Sequence, residues 1–236
     1  MNLLLLSEDQ CNDPIVTVSG RQLEHLLSVQ RAQVGDSVRI GRLNGLMGCG
    51  IIKTLNADLA TLEITLDNPS PTAVPLTLIL ALPRPKMLRR TLQTIAAMGI
   101  KTLYLVNSSR VEKSFWQTPM LRPEALQEQL VLGLEQARDT IMPKIYLRKL
   151  FKPFVEDELG RIIAGSRALV AHPATVVPCP IDCQTAVTLA VGPEGGFIPY
   201  EVEKLNEIGF ESVHLGPRIL RVETAVPALI SRLFPS

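Results

Sequence analysis

The sequence predicts an α/β protein in which a small β-rich domain, residues 1–72, precedes a larger domain, residues 73–236, built on a parallel sheet. Three observations predict it. After residue 75, short apolar segments alternate with helical stretches, the pattern of strands joined by crossover helices. Before residue 68, alternating apolar residues are broken by turn residues, the pattern of hairpins. Between the two, Asp67-Asn68-Pro69-Ser70-Pro71-Thr72-Ala73-Val74-Pro75 carries three prolines, which disfavour helix and central strand alike and mark a linker.

In the first domain, Ser19-Gly20-Arg21-Gln22 fits a capping box, and Leu23, Leu26 and Leu27 follow at helical spacing, so a short helix is expected from Gly20 to about Gln30. Val38 and Ile40, the Asn44-Gly45 turn, Ile51-Ile52 and the alternation over 59–66 then read as hairpin strands. In the second domain the strand candidates are 76–82, 102–106, 144–147, 168–171, 187–191 and 213–215. Helical stretches over 86–98 and 199–208 end at Gly99 and Gly209, where a left-handed cap is commonly needed. The last helix, 223–234, carries Ala225, Val226, Ala228, Leu229, Ile230 and Leu233, a face apolar enough for a subunit contact or for the core.

A chain of 236 residues, 46% hydrophobic and 20% charged, can bury a sizeable core without staples. Four consecutive leucines within Met1 to Leu6, without a positive flank, are too short for a signal peptide, and no stretch approaches the ~20 apolar residues of a membrane helix. A cytoplasmic protein with no membrane partner is expected. Cys11, Cys49, Cys179 and Cys183 lack paired metal spacing, so neither metal nor disulfide is expected.

Net charge is only +1, but it is unevenly spread. Residues 1–75 hold five Lys or Arg against eight Asp or Glu, residues 76–113 seven against one, and residues 114–236 twelve against fourteen. The basic segment contains Arg84, Lys86, Arg89, Arg90, Arg110 and Lys113 and reads as a nucleic-acid contact; the alternative is a solvated helix face. With aromatics at 4%, recognition is expected to rest on phosphates and shape more than on stacked bases. In the first domain only a local cluster, Arg21, Arg31, Arg39 and Arg42, could add to such a surface; otherwise the domain is a packing module.

Two glycine-punctuated turns carry the chemistry. Val191-Gly192-Pro193-Glu194-Gly195-Gly196-Phe197 and Leu215-Gly216-Pro217-Arg218-Ile219-Leu220-Arg221 each follow an apolar strand candidate, where backbone groups can touch a ligand directly. The first lacks both the Gly-x-Gly-x-x-Gly spacing of dinucleotide sites, which excludes an NAD-type oxidoreductase, and the Gly-Lys-Ser/Thr ending of a phosphate loop. Glu201 and Glu203 in the helix that follows would repel an anion, so a neutral or cationic ligand is favoured over a phosphate. The plain alternative is a tight strand-to-helix turn.

Gly192-Pro193-Glu194-Gly195-Gly196-Phe197, followed by Leu215-Gly216-Pro217-Arg218-Ile219-Leu220-Arg221-Val222-Glu223-Thr224-Ala225, resembles the signature of the ribosomal small subunit RNA methyltransferase E family, the ribosomal RNA uridine-N3 methyltransferases. Weaker matches run through His25 to Arg31 with Gly35, Lys86, Gln93 with Gly99, Glu135-Gln136, Pro143 and His172-Pro173. The chain departs from the family pattern at Ala97, where a glutamate is usual, at Ser28, and at Arg138, which follows Glu135-Gln136-Ala137 in an altered spacing.

The resemblance implies a trefoil-knotted catalytic domain of the SPOUT class behind a PUA-like barrel, S-adenosylmethionine as donor, and a homodimer. The implied substrate is 16S ribosomal RNA or the small ribosomal subunit, methylated at N3 of a uridine. It would place the cofactor among Ala171, His172 and Pro173, Val191, Gly192, Pro193, Glu194, Gly195 and Gly196, and Leu215, Gly216, Arg218, Ile219, Leu220 and Arg221. Arg218 and Arg221 are the catalytic candidates, able to steady charge on the uracil oxygens; the alternative is a salt bridge to Glu194 or Glu223. For proton removal, Glu194 and His172 are candidates by position, against plainer roles in bonding loop amides and in structure. RNA contacts are expected at Arg31, Arg84, Lys86, Arg89 and Arg110. The departures keep open a protein of the same fold that binds RNA with a changed target or without methylating it.

Overall fold

The structure, a computed structural model, describes residues 2–11 and 13–235. It divides into two compact units, Met1–Thr72 with Leu130–Met142, and Ala73–Gln129 with Pro143–Ser236. The expected second domain, 73–236, thus yields Leu130–Met142 to the first unit. The reason is local. The C-terminal half of the helix Pro123–Ala137 brings Glu135, 1% exposed, against Arg21, with oxygen–nitrogen distances of 2.8 and 2.9 Å, and the Asn2 N–H donates to the Glu135 carbonyl.

In the first unit, β1 (Leu4–Leu6), β2 (Ile15–Val18), β3 (Ser37–Arg42), β4 (Met47–Leu55) and β5 (Ala60–Asn68) form one sheet in the order β1-β3-β4-β5-β2. The β1 strand runs parallel to β3, and every other pairing is antiparallel. Alternation buries Val38 and Ile40 on β3 against Leu4 and Leu6 of β1 and Val16 and Val18 of β2, so both edge strands share one core. A helix, Gly20–Glu24, continues as a π-helical stretch, His25–Gln30, seats Leu23 and Leu26 in that core, and ends at Arg31 in the left-handed region with φ 51°. The capping box expected at Ser19 is absent: the Ser19 side chain caps nothing, and the Gln22 amide donates instead to the Leu5 carbonyl at 2.8 Å, a long-range bond that outcompetes the local one.

The second unit is a six-stranded sheet in the order β11-β9-β10-β6-β7-β8, with every pairing parallel. Its strands are β6 (Leu76–Ala81), β7 (Thr102–Val106), β8 (Lys144–Arg148), β9 (Arg167–Ala171), β10 (Val187–Val191) and β11 (Glu211–Val213). Central β10 is buried at every position, which is why it reads as an unbroken apolar run. The helices Pro85–Ala97 and Pro199–Glu207 are followed by Gly99 and Gly209 at φ 76° and 106°, the left-handed caps their sequence called for. One expected strand is displaced. The ladder holds Glu211–Val213 and not 213–215, because His214 leaves it to bridge Pro178 and turns its ring onto the next loop.

Candidate functional site

Parallel strands end on the same edge of a sheet, and β11, β9 and β10 are neighbours, so the loops after them are brought together. They surround a cavity of about 240 Å3. Ala171, His172 and Pro173 line it after β9, Val191, Gly192, Pro193, Glu194, Gly195 and Gly196 after β10, and Leu215, Gly216, Arg218, Ile219 and Leu220 after β11. Of the residues expected around a cofactor, only Arg221 is not part of the lining.

The first loop is shaped by sterics. A methyl group on Gly192 would lie 2.8 Å from the Phe197 nitrogen, since the loop folds back on itself, and Gly196 sits at φ 72° with its N–H donated to the Pro193 carbonyl at 2.7 Å. Glu201 then closes the turn. Its buried carboxylate accepts the Ile198 N–H at 3.0 Å and the Ser109 N–H at 2.6 Å, so this acidic residue caps the start of its helix from inside. Glu194 is exposed and accepts the Arg84 N–H at 3.3 Å, and the Arg110 guanidinium donates to the Gly195 carbonyl.

The second loop is held by a histidine. His214 accepts the Gly216 N–H on Nδ1 at 2.9 Å, which leaves the proton of the neutral ring on Nε2. Its backbone is fixed on both sides, by the Val177 carbonyl and the Cys179 N–H. His172, at the end of the neighbouring β9, donates its backbone N–H to the Val213 carbonyl at 2.9 Å, while its Nδ1 is buried with no hydrogen-bond partner among the described residues. Val213, His214, Val222, Ala225 and Leu229 also line the cavity and were missed. The last three had a signal: spacing of three and four residues puts them on one face of the helix Val222–Leu233.

Arg218 and Arg221 are exposed, and among the described residues neither forms an ion pair, so the bridge to Glu194 or Glu223 is not made. The Arg221 carbonyl accepts the Thr224 and Ala225 N–H groups and opens the last helix. Arg84, Lys86, Arg89, Arg90, Arg110 and Lys113 are all exposed, with Arg84 at the N-cap of Pro85–Ala97 and Lys86 and Arg89 one turn apart on it. Arg31 is exposed in the first unit. All four cysteines are free thiols, and burial pushes the Cys179 thiol up to about 11. Among the described residues no group of three or more His, Cys, Asp or Glu could hold a metal ion, and no helix is long and apolar enough to cross a membrane.

Glycine loops at adjoining ends of parallel strands, closing over a cavity walled by apolar side chains and main-chain groups, define a ligand-binding α/β domain. Residues 69–234 match the family model described as the RNA methyltransferase domain, and the chain belongs to that family. It is 26% identical to the ribosomal RNA small subunit methyltransferase E of Treponema pallidum, over 97% of this chain and 88% of that protein. Against the protein of the same name from Synechocystis, identity is 26% over 98% of this chain and 76% of the relative. Among solved structures, a ribosomal RNA small subunit methyltransferase E from Neisseria gonorrhoeae bound to S-adenosyl methionine is 25% identical, with TM-score 0.76 over 98% of this chain and 95% of that one. A solved structure from Legionella pneumophila, 20% identical with TM-score 0.74 over 98% of this chain and 95% of that one, shares the fold. The family suggested by the two glycine loops is the one these comparisons return.

Proposed function

We propose that this chain methylates ribosomal RNA with S-adenosylmethionine as donor, at N3 of a uridine in the 16S RNA of the small subunit. One observation carries the reading: in a chain of the RNA methyltransferase family, the loops after β9, β10 and β11 converge on one cavity. The residues present suit a nucleoside. Val213, Leu220 and Leu229 offer apolar walls, the loops offer main-chain donors and acceptors, and the orphaned Nδ1 of His172 is an unused hydrogen-bonding atom in the lining. Residues 171–173, 191–196 and 215–220 would hold the cofactor, and among them Arg218 is the one cation and Glu194 the one carboxylate.

Bound there, S-adenosylmethionine supplies a methyl group on a positively charged sulfur. The chain has to orient the uracil and steady the negative charge left on its oxygens once N3 gives up its proton. Arg218, in the cavity wall, and Arg221, just past it, have free guanidinium forks suited to that task. The exposed cations Arg84, Lys86, Arg89 and Arg110 on the catalytic unit, and Arg31 on the other, supply phosphate contacts.

The same reading includes a PUA-like role for the first unit, a trefoil knot in the second, action in the cytoplasm on the RNA or the assembled subunit, and a homodimer. For the dimer the support is exposed apolar surface: Ile219, in the cavity lining, is 84% exposed, and Val176 is 91% exposed. The test is methyl transfer from labelled S-adenosylmethionine to small subunits from a strain lacking the gene, followed by mapping of the modified base. Label at uridine N3 is expected. Cofactor binding without uptake would make this a protein that binds RNA but does not methylate it.

A further inference from the structure

The basic segment is fastened to the first glycine loop. Arg110, in the turn after β7, donates from Nη1 to the Gly195 carbonyl, and the Arg84 N–H reaches Glu194 Oε1. A side chain on Gly195 would meet a residue outside its own turn. A methyl group there would lie 2.9 Å from Arg110 Cδ and 3.6 Å from its Cβ, so the absent side chain is space that the arginine stem occupies. Arginine has five N–H donors in a rigid fork, and Arg110 is exposed, with Nη1 its one bond to the loop. Among the described residues its other donors have no recorded partner.

We infer that Arg110 is a positioning residue that couples RNA to the cofactor: a phosphate gripped by its free donors fixes the guanidinium, which in turn fixes the Gly195 carbonyl and the loop lining the cavity. This rests on the function proposed above and goes beyond it. Methyl transfer as proposed does not by itself require that RNA and cofactor favour each other. Here they do so through one side chain, and linkage makes the effect reciprocal.

The measurement is equilibrium dialysis of labelled S-adenosylhomocysteine, which has no methyl to transfer, with and without an unmodified 16S RNA transcript. RNA should tighten its binding to the wild-type protein by roughly tenfold. In Arg110→Ala the factor should fall to about one, and in Gly195→Ala, which displaces the same side chain from the other partner, it should fall likewise. The double variant should lose no more than either single one. Equal RNA factors in wild type and Arg110→Ala, or single-variant losses that add in the double, overturn the coupling while leaving the methyltransferase reading in place. A wild-type protein that binds no S-adenosylhomocysteine overturns both.

Discussion

The Glu201 carboxylate, in a residue only 3% exposed, accepts the Ser109 backbone N–H at 2.6 Å and so ties the turn after β7 to the helix that follows β10. Its other oxygen holds the Ile198 N–H, and one side chain therefore satisfies two donors from two loops. Replacing it with alanine strands both. Glu201→Ala should lose about 2 kcal/mol, a fall in Tm of roughly 4–8 °C, and Glu201→Gln, which keeps one acceptor, about half as much. Thermal melts of the three proteins check this; equal melting temperatures would mean that water replaces the carboxylate at no cost.

Arg218 and Arg221 behave oppositely if they serve the substrate. Both are exposed and make no ion pair among the described residues, so Arg218→Ala or Arg221→Ala should change stability by less than about 0.5 kcal/mol. Methyl transfer should fall by roughly 100-fold or more, the scale of losing a donor aimed at developing charge. Turnover and melting temperature measured on the same preparations separate the two effects. A variant that melts early but turns over normally would return the arginines to a structural role.

The glycine loops were legible because their requirements are local. Gly196 needs its positive φ and Gly192 its missing side chain whatever the rest of the chain does, and buried parallel strands such as β10 announce themselves as apolar runs. What was not legible depends on distant partners. β1 and β2, three and four residues long, are strands only because β3 and β5 pair with them. Gln22 looks like half of a capping box until Leu5 is folded against it, and Glu201 looks like a solvated acid until Ser109 arrives 92 positions away in sequence. Gly195 lies between these cases. Its place in the loop was evident, but the approach of the Arg110 side chain to it, from 85 positions away, was not.

Cys179 gives a pH signature. Its thiol is 1% exposed and raised by burial from 9.0 to about 11. The folded state therefore keeps the proton after the unfolded chain has lost it, and stability is complete below pH 9, then declines as pH rises toward 11. The loss over that window should be about 1–2 kcal/mol. Cys179→Ala should flatten that part of the urea-denaturation profile. At pH 8 the buried thiol should also resist alkylation while exposed Cys49 reacts, with mass spectrometry of the labelled peptides as the readout.

The exposed cations of the catalytic unit have a quantitative consequence. Each phosphate they neutralise releases counterions, so RNA affinity should fall steeply with salt, by a slope that counts the contacts. Arg84 and Arg89 stand at the N-cap and in the second turn of one helix, both exposed, and neither is needed for the core that Leu88 and Leu92 supply. Replacing both with alanine should weaken RNA binding uniformly across sequences and make the slope of log affinity against log salt shallower by about 1–2. Lys101, on the same segment but only half-buried and outside this helix, serves as the comparison. Should Arg84→Ala/Arg89→Ala leave the slope unchanged while Lys101→Ala alters it, the RNA track runs along a different face of the unit than the one these residues define.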